Sequence, residues 1–269
     1  MIKLGFIGCG NMGEAMVAGA IQSGYIESNK IIISTKTEKS GKRISEKYDV
    51  ILGKDNADVA KRSKILILAV KPNMYKQIID EIGDLIPSGT IVMGIAPSFT
   101  INKLKKLLGR DDLKIVRAMP NVPSMVGSGI AGISFDEKFS TEEKNEIINL
   151  FKSFGDAIEI KENLMKTIGS VTGSSPAFIY MLIEAMAEAT ILMGIPAKDA
   201  YKLAAKAVEG TAKMVLESDK HPAELRDNIC SAGGTTIEGV ISLEKNGFKG
   251  NIIEAMIKSA EKFQKMENE

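Results

Sequence analysis

The chain has a single histidine, His221, and only two cysteines, Cys9 and Cys230, among its 269 residues. That is too few ligands for a His/Cys zinc cage, and two cysteines build no disulfide framework. A Ser-His-Asp hydrolase would rest on His221 alone, which leaves little room for one. An excess of charge of one sign is also missing. The balance of 35 basic against 34 acidic residues is a formal +1, so no global field draws the chain to nucleic acid or an acidic membrane. The opening Met1-Ile2-Lys3-Leu4-Gly5 lacks the basic region and apolar run of a signal peptide, and none is expected. Long apolar runs are scarce. The most apolar one, residues 178–193, is cut by Glu184 and Glu188 and does not read as a membrane span. What is present, 44% hydrophobic and 26% charged residues, is ordinary for a globular protein, here expected to be soluble and cytoplasmic.

Two textures follow one another. In residues 1–160, short Ile- and Val-rich runs (2–7, 31–34, 65–70, 90–95, 114–119, 130–134 and 157–160) alternate with stretches of helical spacing. Nearly continuous apolar runs of that length suit strands buried on both faces. Their alternation with helices predicts a doubly wound α/β parallel sheet of the Rossmann type. From 161 to 269 the β-type runs stop and Ala-, Met- and Leu-rich helical blocks take over, which predicts a second, all-helical domain.

The first run leads into Gly8-Cys9-Gly10-Asn11-Met12-Gly13, with a helix expected from Glu14. In this strand–turn–helix context the three glycines allow a tight turn, backbone approach to a pyrophosphate and close helix–sheet packing, and the helix N-terminus faces the anion. The second run ends in Ser34-Thr35-Lys36-Thr37, with no acid before Glu38. An NAD enzyme usually places an acid there for the ribose 2′-hydroxyl, whereas hydroxyls and a cation suit a 2′-phosphate. NADP(H) is therefore favoured, with NAD(H) as a possible alternative. Ala69-Val70-Lys71-Pro72 and Ala96-Pro97 close two further strands at the same edge, where small residues leave room for the nicotinamide ribose.

Alcohol chemistry is poorly provided for. No tyrosine has a lysine four positions on, as short-chain dehydrogenases require, and residues 173–180 lack the lysine that β-hydroxyacid dehydrogenases place there. The unusual patch is Ser231-Ala232-Gly233-Gly234-Thr235-Thr236, between two helical blocks. Glycines before Thr-Thr at a helix start expose unpaired amides, which suits a small carboxylate, and the next hydroxyl can reach a neighbouring nitrogen; the alternative is a plain turn with a threonine cap.

Residues 222–239, from Pro222 through Asp227-Asn228 and the Gly-Gly-Thr-Thr patch to Gly239, resemble the signature of pyrroline-5-carboxylate reductases. Residues 5–13, 69–72, Arg117-Ala118-Met119-Pro120-Asn121 and 173–180 are similar to the same family. The resemblance implies reduction of the cyclic imine 1-pyrroline-5-carboxylate to L-proline with NAD(P)H. It assigns Thr235, Thr236 and the neighbourhood of Glu162 to the substrate. It assigns Asn11, Met12, Ser34, Lys36, Asn56, residues 69–72, Ala96 and Asn228 to the cofactor. Thr236 is the expected partner of the ring nitrogen. An imine is protonated more readily than a carbonyl, so placement matters more than a strong acid and no histidine is needed. The sequence departs from the family at Ser175, where glycine is usual, and at Pro97-Ser98, where Ala-Gly is usual. Helices such as that holding Phe178, Ile179, Met181, Leu182 and Ile183 are apolar on more than one side, which predicts a homodimer interleaved through the helical domain; the resemblance adds a possible ring of dimers. A hydroxyacid dehydrogenase relative and a non-enzymatic NADP-binding sensor are the competing readings, opposed by the missing lysine and by the intact Gly-Gly-Thr-Thr patch.

Overall fold

The computed structural model describes residues 2–268. Eight strands form one sheet: β1 (Ile2–Ile7), β2 (Ile31–Ser34), β3 (Ile51–Leu52), β4 (Ser63–Leu68), β5 (Ile91–Gly94), β6 (Lys114–Met119), β7 (Gly129–Phe135) and β8 (Gly155–Glu159), in spatial order β3-β2-β1-β4-β5-β6-β7-β8. The run of apolar side chains in these strands is explained by two cores. Leu4, Phe6, Ile31, Ile33, Ile65, Ile67, Ile91 and Met93 feed one face; Ile7, Ile32, Leu66, Leu68, Val92 and Ile115 feed the other. Because side chains alternate across a strand, a sheet covered on both faces needs apolar residues at every position.

The helices around this sheet are α1 (Asn11–Gln22), α2 (Glu38–Tyr48), α3 (Asn56–Arg62), α4 (Tyr75–Ile82), α5 (Ile101–Leu108) and α6 (Thr141–Lys152). Two of them, α3 and α5, are only 7 and 8 residues long. Each relies on a local cap: Asp55 accepts from the Asp58 amide at 2.7 Å, and Thr100 from that of Lys103 at 3.1 Å.

One expectation needs correcting. The sheet is not parallel throughout, because β7 runs antiparallel to β6 while β8 is parallel to β7. Only a short 3-10 turn, Val122–Val126, lies between β6 and β7. A parallel crossover needs a dozen or more residues, usually a helix, and this connection has none; α6 supplies one between β7 and β8.

After β8 come α7 (Met165–Ile168), a π-helical turn (Gly169–Ser174), then α8 (Ser175–Leu192), α9 (Ala197–Glu217), α10 (Pro222–Ile229), α11 (Thr235–Lys245) and α12 (Phe248–Asn268). The chain packs as two compact units, one reaching to Gly173 and taking back the stretch from Ala260 onward, the other running from Ser174 to Ser259. This differs from a division at residue 160. Met165 is fully buried in the first unit, and a Cβ on Gly132 of β7 would sit 2.5 Å from Ile168, so α7 lies directly on the sheet. The second unit has a small core of Ala187, Ala200 and Ala204 where α8 meets α9.

The stretch from Ala260 is tied to the sheet by charge. Arg117 of β6, with a side chain 1% exposed, donates to Glu267 at 2.5 Å, to Glu162 at 3.4 Å and to the Pro97 carbonyl at 2.6 Å. A buried guanidinium stripped of a partner is costly. Glu267→Ala is expected to lower the stability of the chain by about 3 kcal/mol in urea unfolding. A change within experimental error would show that this ion pair is not what holds the segment.

Candidate active site

The glycine turn sits where the strand order reverses, between β1 and β4, the place at which ligands enter open α/β sheets. Gly8 has φ +77°, and a Cβ there would lie 2.1 Å from Val70 Cγ1. Gly13 brings α1 against the sheet, since a Cβ would be 3.3 Å from that of Ala69. Gly10 differs from both: a Cβ on it would meet nothing nearer than the Gly8 carbonyl at 3.8 Å. It opens onto free space at the start of α1, and no side chain caps that helix. Open backbone at an uncapped helix start is what a pyrophosphate requires, so the residues fit a dinucleotide.

Hydrogen bonds draw the other edge residues to this turn. The Gly8 and Cys9 amides donate to the Ser34 carbonyl at 3.0 and 2.9 Å, and the Ala69 amide donates to Ile7 at 2.8 Å. The Ser34 hydroxyl donates to Asn56 Oδ1 at 2.7 Å, joining the end of β2 to the start of α3. Gly8, Cys9, Gly10, Asn11, Met12, Gly13, Ser34, Asn56 and Ala69 therefore gather along the C-terminal edges of β1, β2 and β4. Val70, Lys71 and Pro72 follow β4, with Lys71 exposed, and Ala96 follows β5. Lys36 is exposed.

The hydroxyls at the end of β2 do not face outward as donors. Besides Ser34, Thr35 donates to the Thr37 carbonyl at 2.8 Å, and Thr37 to Ser40 Oγ at 2.9 Å. Cys9 is buried, and burial, with the nearby Glu14 carboxylate, pushes its thiol up to about 12, so it is an inert packing group. Glu14 of α1 takes a forked bond from Arg43 at 2.9 and 2.5 Å and a contact from Lys47 at 3.3 Å. The Arg43 hydrogen bonds hold its carboxyl down to about 2. This joint between α1 and α2 is charged and intact above the ordinary glutamate range and is lost as the pH falls towards that value.

Sequence reasoning missed Tyr75. It drew notice only as one of five tyrosines without a lysine partner, yet its fully buried hydroxyl donates to the Leu68 carbonyl at 2.6 Å and accepts from the Ile95 and Ala96 amides at 3.1 Å each. The ring stacks on Phe99 with centroids 4.1 Å apart. Burial raises the phenol above the usual tyrosine range, so it remains a donor. One side chain thus joins the ends of β4 and β5. The only advance sign was a tyrosine at an apolar helical position, where a buried hydroxyl must find partners.

Glu162, expected near the substrate, accepts from the Ile101 amide at 2.7 Å through Oε1, the same oxygen that meets Arg117. One of its oxygens is thus spent within the chain. In the second unit, Gly233 has φ +67° and the Gly234 amide donates to the Ser231 carbonyl at 3.0 Å. Helix α11 begins at Thr235 with Gly234 in the capping position and no side-chain cap. Thr235 and Thr236 are the first two helical residues, so the threonine-cap alternative does not hold. Both are exposed, as is Asn228 near the end of α10.

Residues 162–266 match the family described as pyrroline-5-carboxylate reductase dimerisation, and residues 3–97 the family described as NADP oxidoreductase, coenzyme F420-dependent. The pyrroline-5-carboxylate reductase of Escherichia coli is 40% identical over 98% of each chain. The chain belongs to the pyrroline-5-carboxylate reductase family. Two solved reductases share its fold: that of Plasmodium falciparum, described with NADP bound, at TM-score 0.89 and 30% identity over 99% of this chain and 98% of that one, and that of Coxiella burnetii at 0.91 and 30% over 98% of both. This member of the family is an oxidoreductase with a nicotinamide-dinucleotide fold. Its Pro97-Ser98 departure falls beside the Tyr75 bonds, with the Pro97 carbonyl held by Arg117.

Replacing Tyr75 with phenylalanine leaves a buried carbonyl and two amides without their shared partner. The expected outcome is a loss of about 1–3 kcal/mol of stability with weaker dinucleotide binding, checked by thermal unfolding and calorimetric titration. Unchanged stability and affinity would show that the hydroxyl does not hold these strand ends.

Proposed function

We propose that this reductase converts 1-pyrroline-5-carboxylate to L-proline, the last step of proline biosynthesis, using a reduced nicotinamide dinucleotide and one proton. The observation that carries this reading is similarity along nearly the whole chain to proteins named for that activity. When bound, the dinucleotide supplies the hydride that reduces the carbon of the C=N bond. The chain's own part is placement. The backbone of the Gly233-Gly234 turn and the open first amides of α11 hold the substrate carboxylate, Thr235 lines it, and the Thr236 hydroxyl hydrogen-bonds the ring nitrogen that keeps the proton. Glu162 stands in the substrate's neighbourhood. The glycine turn, Ser34, Lys36, Asn56, residues 69–72, Ala96 and Asn228 hold the cofactor, with NADP(H) preferred and NAD(H) accepted. The reading is tested by following NADPH and NADH oxidation with pyrroline-5-carboxylate, against buffer and a hydroxyacid series. Turnover of a hydroxyacid alone would replace it with the dehydrogenase reading, and no turnover at all with the sensor reading.

A homodimer built through the helical unit belongs to the same proposal, with a ring of dimers as its extension. Ala187 is the only buried residue of α8, and α10, α11 and α12 have none, while Tyr180, Met181, Leu192 and Leu216 stand 62, 65, 89 and 86% exposed. The stretch Glu162–Leu192 is apolar and long enough to cross a membrane by length and composition alone. A second copy of the chain accounts for that apolar surface better, given the match to the dimerisation family. An apolar groove of about 400 Å³ between α8 and α9, lined by Leu182, Met186, Val208 and Val215, offers part of such a seat. Light scattering at micromolar concentration is expected to give at least twice the mass of one chain; a monomer would rule the dimer out.

Thr236→Ala is expected to lower kcat/KM by roughly 10- to 150-fold, because a hydrogen bond to a charged group is worth about 1.5–3 kcal/mol and each 1.4 is about a factor of ten. Thr236→Ser should keep much of the activity and Thr236→Val should resemble alanine, with NADPH affinity nearly unchanged in all three by fluorescence titration. Full activity in the valine variant would remove the hydroxyl from the mechanism.

A further inference from the structure

The end of β2 contains a feature that bears on the choice between the two dinucleotides. We infer that Glu81, near the end of α4, is a specificity-determining residue. It orients the Asn56–Ser34 pair to receive a free 2′-hydroxyl, and so keeps NAD(H) usable against the pull of Lys36 towards a 2′-phosphate. The inference rests on the proposed dinucleotide reading and deepens it.

The argument follows a chain of hydrogen bonds whose direction is forced. Asn56 Nδ2 donates to Glu81 Oε2 at 3.0 Å, and Ser34 Oγ donates to Asn56 Oδ1 at 2.7 Å. A carboxylate only accepts, so the amide nitrogen must face Glu81. The amide oxygen must then face Ser34, and the serine hydrogen must point at Asn56. Ser34 is left with lone pairs alone to offer a ligand. A ribose 2′-hydroxyl can donate to a lone pair, whereas a phosphate dianion only accepts and finds no hydrogen there. The second hydrogen on Asn56 Nδ2 serves a hydroxyl and a phosphate alike. Thr35 and Thr37 do not make up the difference, because their hydroxyls are spent on the Thr37 carbonyl and on Ser40.

Charge acts in the same direction. Among the described residues no ion pair involves Glu81, and its contact with Asn56 is exposed, so an unpaired negative charge stands one side chain away from Ser34, the end of β2 assigned to the 2′ position in this reading. NAD enzymes place an acid directly at the end of the second strand. Here β2 ends in Ser34, and the acid acts from α4 through the amide of Asn56.

The test compares the purified full-length chain with Glu81→Gln and Glu81→Lys. Dissociation constants for NADP⁺ and NAD⁺ are measured by isothermal titration calorimetry, and kcat/KM with NADPH and NADH in parallel. Glutamine removes the charge and lets Asn56 turn. Lysine can only donate, which turns the amide oxygen towards it, the amide nitrogen towards Ser34, and frees the serine hydrogen for a phosphate. The preference for NADP⁺ over NAD⁺ is expected to rise about threefold in the glutamine variant and tenfold or more in the lysine variant, with the gap narrowing as salt is raised. A purely structural role would weaken both nucleotides by the same factor. Equal changes, or an unmoved ratio in both variants, would overturn the assignment to Glu81. A parent chain that binds neither nucleotide would overturn the dinucleotide reading itself.

Discussion

Two amide hydrogens, those of Gly8 and Cys9, converge on the carbonyl of Ser34, and the geometry of the sheet edge around the glycine turn depends on that convergence. It requires the chain to turn sharply at the end of β1, which only a residue at ease with φ +77° and lacking a side chain against Val70 can do. With the turn made, the end of β2 is fixed beside that of β1, and Ala69 is fixed on the other side through its bond to Ile7. The strand reversal between β1 and β4 leaves a crevice there, and Gly10 keeps it open. Any larger residue at Gly8 would have to displace Val70, so the turn and the crevice stand or fall together.

Around this edge the first unit supports its loops with polar side chains turned inward. Tyr75 shares one hydroxyl among three backbone groups of two strands. Arg117 shares one guanidinium among a carbonyl and two carboxylates. Such groups are worth more in a low-dielectric interior than in water, and equally are costly to leave half satisfied, which makes the loops they hold stiff. Ser34, Thr35 and Thr37 likewise give their hydroxyl hydrogens to groups of the chain, the two threonines doing so at the surface. This changes the chemistry they present: a row of hydroxyls looks like a set of donors on paper, but their hydrogens are already spent.

The second unit works differently. Its own core is three alanines, and its helices present large apolar side chains to the outside. A unit of this kind gains little from burying its own surface, and its residues match a family described as a dimerisation domain, which is why a homodimer is proposed. Its Gly-Gly-Thr-Thr turn is open for the same reason that it is exposed: Gly234 offers no side chain to cap α11, so the first amides of the helix remain available.

Much of this was legible from the residues alone. The glycine turn and the two-textured chain depend on local rules: glycine where φ must be positive, apolar runs where both faces are buried, helical spacing where they stop; the signature around Gly233-Gly234 was legible only as a resemblance to a known family. Short elements such as β3 and α3 escaped because neighbours and caps, rather than periodicity, sustain them. The antiparallel β7 escaped because strand direction is set by the length of a connection in space. What the sequence by itself determined is the fold class and the chemistry available at each position. What only the tertiary structure decided is which way each hydrogen points and which distant group receives it: Tyr75 to β4 and β5, Arg117 to Glu267, Ser34 through Asn56 to Glu81. A hydrogen bond depends on angstroms and angles between residues far apart in the chain, and no local pattern encodes those.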